Sequence, residues 1–344
     1  MDVLRLIARA SVSDGCTKDT CPASSSIYGY APSWDFNLFF TIAFAISAAV
    51  FVVQAFVWPK WRVFSWACAL GSFMEVGGYV GRLLLHKDPF SDAGFKLNVI
   101  LLTVAPAFVS AAIYLTLKMA TTVFGQRYSI LPPAYYAYIF VGCDIVSIIL
   151  QGAGGAISAI AENKDLLDDG VDIMIAGLAF QVFTLLIFLC LAVDFVLKCF
   201  RNRADLNPGS RPLAKSVGFQ VFVAAVSLSF ICILTRCCYR AAELSGGWGN
   251  KIMRKEAEFI VLDSDMCIIA FVCLNIFHPG YLFDETGQTD LGGQQQQPME
   301  MRNEQEQHKA SAHPVSAERQ AILVGAAGPS LFPPPYGRGN ETWI

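Results

Sequence analysis

Several long apolar stretches of this sequence carry charged or amide side chains at spacings that place them on one helix face. Glu75, Tyr79 and Arg82 lie at offsets of four and seven residues, and Asp144 and Gln151 are again seven apart. Residues at such offsets share one face of an α-helix. Because an ionisable group in hydrocarbon costs roughly 2.5–3.5 kcal/mol on insertion scales, such groups usually face the interior of a helix bundle. We therefore predict a ligand-binding or cavity-lining set of Glu75, Tyr79, Arg82, Asp144, Gln151, Gln181, Arg236, Arg240, Glu243, Glu256 and Asp263.

The charges in this set indicate two arrangements, and both stay open at this point. The carboxylates of Glu75, Glu256 and Asp263 suit a protonated amine, whereas Arg236 and Arg240 suit an anionic group. These residues would then line one polar cavity that opens toward the outer leaflet. Alternatively, the two arginines pair with the three carboxylates across the bundle and fix the packing of the helices.

The stretches that carry these residues are long enough to cross a membrane. The chain has 344 residues, of which 54% are hydrophobic and only 15% are charged, whereas soluble domains have about 25% charged residues. A helix needs about 20 mostly apolar residues to cross a hydrocarbon core of about 30 Å, and barrel strands are shorter and alternate apolar with polar residues. The sequence therefore predicts an all-α polytopic membrane protein with a bundle of seven transmembrane helices. The seven apolar blocks are Phe36–Trp58, Val63–Leu85, Asn98–Val123, Ala134–Ile160, Val171–Leu197, Ser216–Leu234 and Phe259–Phe283.

Basic residues in the short connections predict the orientation. Lys60 and Arg62 follow the first block, and the connections after the third and fifth blocks are basic as well. Because cytoplasmic loops are enriched in Lys and Arg, we expect the N-terminus outside and the C-terminus in the cytoplasm. The connection between the sixth and seventh blocks is the exception, since it also carries basic residues, Arg236 and Arg240 among them.

The chain is predicted to contain three regions. Residues 1–35 form a short external N-terminal segment, residues 36–283 form the seven-helix transmembrane domain, and residues 284–344 form a polar cytoplasmic tail that is expected to be disordered. No cleavable signal peptide is expected, because arginines interrupt the apolar run at the N-terminus. We expect a multi-pass protein of the plasma membrane. The sequence leaves open whether Cys16 and Cys21 of the external segment form a disulfide.

The tail carries a candidate partner motif. Pro333, Pro334 and Tyr336 form a PPxY sequence, and such segments dock as polyproline II helices on WW domains. A WW-containing ubiquitin ligase is therefore a predicted partner, and Lys309, the one lysine of the tail, is the candidate acceptor. A chance cluster of prolines is the alternative interpretation.

A series of short motifs follows the order of the apolar blocks. The second block contains Glu75-Val-Gly-Gly78-Tyr79-Val-Gly-Arg82, and the fourth contains Asp144-Ile-Val-Ser147 and Gln151-Gly-Ala-Gly154-Gly155. The seventh contains Asp263 and His278-Pro279-Gly280, and Glu256 lies just before it. This series resembles the fungal RTA-like proteins, the lipid-translocating exporter family, over residues 28–283. The resemblance implies seven helices with an outside N-terminus. It also implies an association with release of sphingoid long-chain bases, resistance to an aminosterol and other toxic amphiphiles, and porphyrin traffic.

Three classes of function can be compared on these observations. The first is a translocator or exporter of lipids or toxic amphiphiles, such as sphingoid long-chain bases or sterol-like and porphyrin-like compounds. The alternative is a seven-helix lipid or stress sensor or receptor without transport activity. An enzyme is not expected, because the four histidines cannot converge on one metal site. No phosphate-binding loop occurs, so any transport would be passive, exchange-driven or ion-coupled. We expect membrane lipids and an amphiphilic small molecule as partners, with no cofactor, no metal, no catalytic residue and no nucleic acid.

Overall fold

A computed structural model shows the protein as an assembly of helices, and no strand occurs in the part of the chain that it describes. The predicted tail, its PPxY motif and the cysteine pair of the external segment lie outside the described residues. The described residues are Pro22, Ser24 and residues 26–124, 126–161, 163–202, 216–247 and 250–281.

Each of the predicted apolar blocks forms a long helix. Short 3-10 turns, Pro59–Trp61 and Gln126–Tyr128, lie in two of the connections. The last helix, α7, begins as Glu256–Phe259, continues as a π-helical turn over Ile260–Asp265 and finishes as Met266–Ile276. The preceding helices are α1 (Trp34–Val57), α2 (Arg62–Lys87), α3 (Asp92–Phe124), α4 (Pro133–Ile160), α5 (Lys164–Arg201) and α6 (Val217–Ser245).

All of these helices except α2 are long and apolar enough to cross a membrane. α2 has 26 residues, a length of about 39 Å at 1.5 Å per residue, but its four glycines and Glu75 lower its hydropathy. Connections of four residues join α2 to α1 and to α3, and α2 packs against both. Helices joined by such short connections lie antiparallel. α2 therefore crosses the membrane in the direction opposite to that of α1 and α3. The prediction of an all-α polytopic membrane protein is confirmed.

The helix α6 extends well past its apolar block. The block ends at Leu234, whereas the helix continues to Ser245. Arg236 and Arg240 therefore lie inside α6 and not in the connection that follows it. The helix can continue because its polar residues are paired, as when Arg240 donates to Glu243 one turn away.

Aromatic side chains fill the space between α1, α2 and α7. Tyr79 of α2 stacks on Phe40 and Phe44 of α1, with ring centroids 5.3 and 5.5 Å apart. Phe44 also meets Phe271 of α7 edge to face. These contacts hold α1 and α7 against the face of α2 that carries Glu75.

Two helix pairs approach each other closely at glycines. A Cβ atom on Gly81 of α2 would lie 2.7 Å from the backbone nitrogen of Asn98 in α3. A Cβ atom on Gly154 of α4 would lie 2.5 Å from the carbonyl oxygen of Gly170 in α5. Small residues at helix contacts in membranes allow the backbones to approach. The glycines thus set the spacing of the α2–α3 and α4–α5 pairs.

Candidate functional site

Three charged side chains from three helices meet in the interior of the bundle. Nε of Arg236 in α6 lies 3.0 Å from Oδ1 of Asp263 in α7, and Nη2 of the same arginine lies 3.4 Å from Oε1 of Glu75 in α2. The exposed fraction of all three side chains is 0%. We call Glu75, Arg236 and Asp263 the central cluster.

A proline of α3 positions the arginine of this cluster. Because Pro106 has no N–H, the carbonyl of Leu102 one turn earlier loses its usual intrahelical donor. Arg236 replaces that donor, since its Nη2 donates to the Leu102 carbonyl at 2.7 Å. Nη2 is thereby shared between the Leu102 carbonyl and Glu75, and the shorter of its two contacts is the one with the carbonyl.

The helix α7 is widened at the point where it carries Asp263. The π-helical turn Ile260–Asp265 contains both Asp263 and Ser264, and both side chains are buried. Turns of this kind occur mostly as single insertions in α-helices and are frequent at functional sites. The hydroxyl of Tyr79 lies beside Ser264, and the thiol of Cys267 lies beside Glu75. The central cluster is therefore surrounded by polar groups from α2 and α7.

A second cluster surrounds Arg82, two helical turns further along α2. Nε of Arg82 donates to Oδ1 of Asn37 in α1 at 2.9 Å, and Nη2 donates to the Tyr30 hydroxyl at 3.2 Å. Oε1 of Glu256, at the start of α7, lies 3.6 Å from Nη2. The guanidinium also lies over the ring of Phe259, 3.9 Å from its centroid. We call Arg82, Asn37, Tyr30 and Glu256 the Arg82 cluster.

Residues 26–33 cover this end of the bundle, and we call them the strap. Tyr28 of the strap is buried and its hydroxyl accepts a hydrogen bond from Nδ2 of Asn98 at 2.7 Å. At the other end of the strap, the backbone N–H of Ser33 donates to Oε1 of Glu256 at 2.7 Å. The strap therefore connects α1 with α3 and α7 by polar contacts.

The conformation and protonation of the strap follow from its surroundings. Its backbone turns at Gly29, where φ is +71°, a value that glycine adopts without strain. Burial raises the pKa of the Tyr28 and Tyr30 hydroxyls, although the Arg82 guanidinium opposes the shift. Both hydroxyls therefore stay protonated over the physiological pH range and keep their hydrogen-bonding roles.

Arg240 and Glu243 form a pair near the strap. Nη1 of Arg240 lies 2.5 Å from Oε2 of Glu243, three residues further along α6. The side-chain amide of Asn250 donates to the backbone carbonyl of Glu243. Tyr28 lies within range of electrostatic interaction with both Arg240 and Glu243. This pair therefore lies at the same end of the bundle as the Arg82 cluster.

The remaining predicted residues join α4 to its neighbours. Nε2 of Gln151 donates to Oε1 of Gln181 in α5 at 3.1 Å. The Ser147 hydroxyl donates to the carbonyl of Gly177 in α5 at 2.7 Å. Asp144 lies next to Tyr114 of α3. These contacts connect α4 with α5 and α3, rather than with α6 and α7.

The structure therefore divides the predicted set into packed groups. Arg236 contacts two of its three expected partners, Glu75 and Asp263. Arg240 instead pairs with Glu243, and Glu256 lies beside Arg82. The outward-opening cavity stays a prediction, because these side chains are packed against one another in this structure.

Two contributors were missed at the sequence level. Asn37 and Tyr30 lie at the edge of the first block and before it, where a polar residue has no special signal in the sequence. The role of the Leu102 carbonyl could have been inferred, because Pro106 removes the donor four residues after it.

A histidine is buried at the far end of α7. Nδ1 of His278 accepts the backbone N–H of Gly280 at 3.1 Å, and its Nε2 lies 2.9 Å from the Ser65 hydroxyl of α2. Since that hydroxyl donates to the Trp61 carbonyl at 3.1 Å, the proton between His278 and Ser65 belongs to Nε2. Trp58 stacks on the imidazole at 4.9 Å. His278 therefore anchors the end of α7 on α2.

Comparison with known proteins places this arrangement in a family. The model of the family described as RTA1 like protein matches residues 68–286, a range that contains the whole central cluster. The chain belongs to this family. The expected relationship to the RTA-like proteins is thereby confirmed, and the protein is a multi-pass membrane protein of that family.

The similar curated proteins are fungal. The sphingoid long-chain base transporter RSB1 of Saccharomyces cerevisiae is 34% identical over 289 residues, which cover 76% of this chain and 75% of the relative. The probable lipid transporter atnI of Emericella nidulans is 26% identical, over 74% of this chain and 68% of the relative. Protein RTA1 of Saccharomyces cerevisiae is 25% identical, over 73% of this chain and 86% of the relative. No solved structure matches the chain.

Proposed function

We propose that this protein translocates or exports lipids and toxic amphiphiles, with sphingoid long-chain bases as the first candidates. Two of its relatives carry the names of lipid transporters, one of them a transporter of sphingoid long-chain bases. These names favour transport over a sensor or receptor that moves nothing, and they favour a role without catalysis.

The central cluster is the observation that carries the proposal. Three ionisable side chains lie fully buried among apolar helices, and ionisable groups within membrane helices are costly and usually mark a ligand or ion site. The cluster contains two carboxylates and one guanidinium. A protonated amine of a long-chain base would compensate the second carboxylate, while the alkyl chain remains in an apolar environment. This chemistry fits the predicted role of Glu75 and Asp263 in binding a cationic head group.

Entry to the cluster would pass the strap and the Arg82 cluster. Glu256 is the least buried carboxylate on this route, with 24% of its side chain exposed, and Arg82 behind it has 1% exposed. A ligand that came from this side would have to displace Tyr28 and Tyr30. We propose that the strap moves away during transport and closes behind the ligand.

The remaining assignments are part of the same proposal. The protein lies in the plasma membrane with its N-terminus outside, so the strap faces the exterior. The basic residues after the first, third and fifth helices support this orientation. A WW-containing ubiquitin ligase binds Pro333, Pro334 and Tyr336 in the cytoplasm.

Reconstitution tests the proposed transport directly. Purified protein in liposomes that contain a fluorescent long-chain base is expected to move the base between leaflets faster than protein-free liposomes do. Glu75→Gln should slow this movement, because the variant removes a carboxylate of the central cluster. Binding of the base without movement in the wild-type protein would contradict the proposal.

A matched control separates the cluster from general effects of charge. Glu258 lies in the first turn of α7 and pairs with Lys255 at 2.6 Å, with 38% of its side chain exposed. Glu258→Gln removes one carboxylate from the same helical bundle without touching the central cluster, and movement should remain at the wild-type rate. Equal losses in Glu75→Gln and Glu258→Gln would count against a specific role of the cluster.

A further inference from the structure

The central cluster has an unbalanced formal charge. Glu75 and Asp263 would together carry two negative charges when ionised, and Arg236 carries one positive charge. Arg240 and Glu243 balance each other, as do Arg82 and Glu256. One negative charge therefore remains in a site where the three side chains have no exposed surface. A buried, uncompensated charge is unfavourable, and a buried carboxyl removes it by taking up a proton.

The hydrogen bonds indicate which carboxyl takes the proton. Asp263 accepts a charge-assisted hydrogen bond from Nε of Arg236 at 3.0 Å, so its partner lies at direct contact distance. Nη2 of Arg236 donates to the Leu102 carbonyl, and its distance to Glu75 is the longer one, 3.4 Å. Glu75 otherwise meets the thiol of Cys267, which is a weak and neutral donor. Glu75 is therefore the less compensated of the two carboxyls.

The other groups around Glu75 do not supply a second positive charge at the site. Tyr79 faces it from α2, and the Cys267 thiol faces it from α7 beside Asp263. From α6, Arg240 acts only at longer range and is engaged by Glu243 at 2.5 Å. α3 contributes the Leu102 carbonyl, which is an acceptor. The surroundings therefore leave Arg236 as the cation that Glu75 shares with Asp263.

We propose that Glu75 binds one exchangeable proton and that this proton is the ion coupled to transport. Binding converts the Glu75 carboxylate into a carboxylic acid, while the Arg236–Asp263 pair stays ionised. Arrival of a cationic head group compensates the second carboxylate and releases the proton, so the ligand and the proton alternate at one site. This inference rests on the proposed function and adds the ion whose gradient would drive it.

Infrared difference spectroscopy of the purified protein tests the proton site without any transport. The wild-type protein near neutral pH should show the carbonyl band of a protonated carboxylic acid, and labelling the glutamate carboxyls with heavy carbon should shift that band. Glu75→Gln should abolish it, whereas Glu258→Gln should leave it in place. A missing band, a band that the glutamate label does not shift, or a band that survives Glu75→Gln would overturn the proposal.

A second variant covers the case in which Glu75→Gln fails to fold. Glu75→Asp keeps a carboxyl at the site but moves the proton from a glutamate to an aspartate. In the labelled protein, the carbonyl band of this variant should no longer respond to the glutamate label. A response that remains unchanged would place the proton on another glutamate and would overturn the assignment to Glu75.

Coupling is tested with a ligand that cannot carry a proton itself. A fluorescent quaternary-ammonium analogue of a long-chain base in proteoliposomes should move in response to an imposed pH gradient, and reversal of the gradient should reverse the net movement. Movement that ignores the gradient would overturn coupling while leaving the transport function standing. If the protein moves no long-chain base at all, the proposed function fails, and the infrared result still decides the proton site on its own.

Discussion

Arg236 is the residue on which the central cluster depends, because it contacts both carboxylates and the Leu102 carbonyl. Removal of one partner of a buried ion pair leaves the other charge unpaired, and this destabilises proteins by about 3–5 kcal/mol. Arg236→Gln should therefore lower the stability of the purified protein by that order, measured by thermal unfolding in detergent. Lys255→Gln is the control, since Lys255 belongs to an exposed pair that contributes about 0–1 kcal/mol. Similar losses in the two variants would mean that the cluster does not hold the helices together.

Pro106 should affect transport through Arg236 rather than through a ligand contact. Pro106→Ala introduces a backbone N–H that competes for the Leu102 carbonyl. A hydrogen bond to a charged group contributes about 1.5–3 kcal/mol, so we expect the transport rate in liposomes to fall by roughly ten- to hundredfold. The helix itself should not be weakened, because alanine favours helix interiors over proline.

Pro133→Ala is the matched control for this substitution. Pro133 is in the first turn of α4, where a backbone N–H would have no acceptor within the helix, so proline costs no hydrogen bond there. Its transport rate should match that of the wild-type protein. An unchanged rate in Pro106→Ala would show that the Leu102 carbonyl is dispensable.

The charged members of the site could be predicted from the sequence, but their partners could not. Glu75 and Asp263 stand out because charged residues are rare within apolar blocks, and Arg236 stands out as a cation just after such a block. Which arginine meets which carboxylate depends on the depth and rotation of each helix, and neither can be obtained from spacing within one helix. Arg240 is the example, since an acidic residue one turn away on its own helix satisfies it.

At the scale of helices, the α4–α5 contact should tolerate no side chain at its closest point. Gly154→Ala would place a Cβ atom 2.5 Å from the Gly170 carbonyl oxygen, and such overpacking costs about 1–3 kcal/mol. We expect a lower melting temperature and a smaller folded fraction by size-exclusion chromatography. Gly152→Ala is the control, because a Cβ atom there meets nothing within 4 Å. Equal behaviour of the two variants would refute the close approach of these helices.

The existence of the helices could be predicted more reliably than their ends. About 20 apolar residues in a row leave few alternatives in a membrane. The ends of the helices depend on side-chain pairing, which composition does not reveal. α6, for example, continues through Arg236, Arg240 and Glu243 because its charged residues find partners. The π-helical turn could not be predicted from the sequence either, since the spacing of Glu256 and Asp263 fits a regular α-helix equally well.

At the scale of the whole molecule, the tail should control how long the protein stays at the cell surface. Tyr336→Ala removes the tyrosine of the PPxY motif and should slow endocytic turnover, measured by the decay of surface-labelled protein. Pro335→Ala is the matched control, because Pro335 occupies the variable position of the motif. Its turnover should equal that of the wild-type protein. If Tyr336→Ala turned over at the wild-type rate, the motif would have no role in endocytosis.

The π-helical turn Ile260–Asp265 has a consequence for how this gene can change in length. A wide turn accommodates one residue more than regular α-helical winding would. Deletion of one codon within the turn can therefore restore regular winding while Met266–Ile276 keeps its neighbours. Deletion of one codon within Met266–Ile276 instead rotates everything that follows by about 100°, the angle of one residue in a helix with 3.6 residues per turn. Within α7, the π-helical turn is therefore the segment in which one residue can be deleted while the rest of the helix keeps its orientation. Such a deletion would remove or displace Asp263.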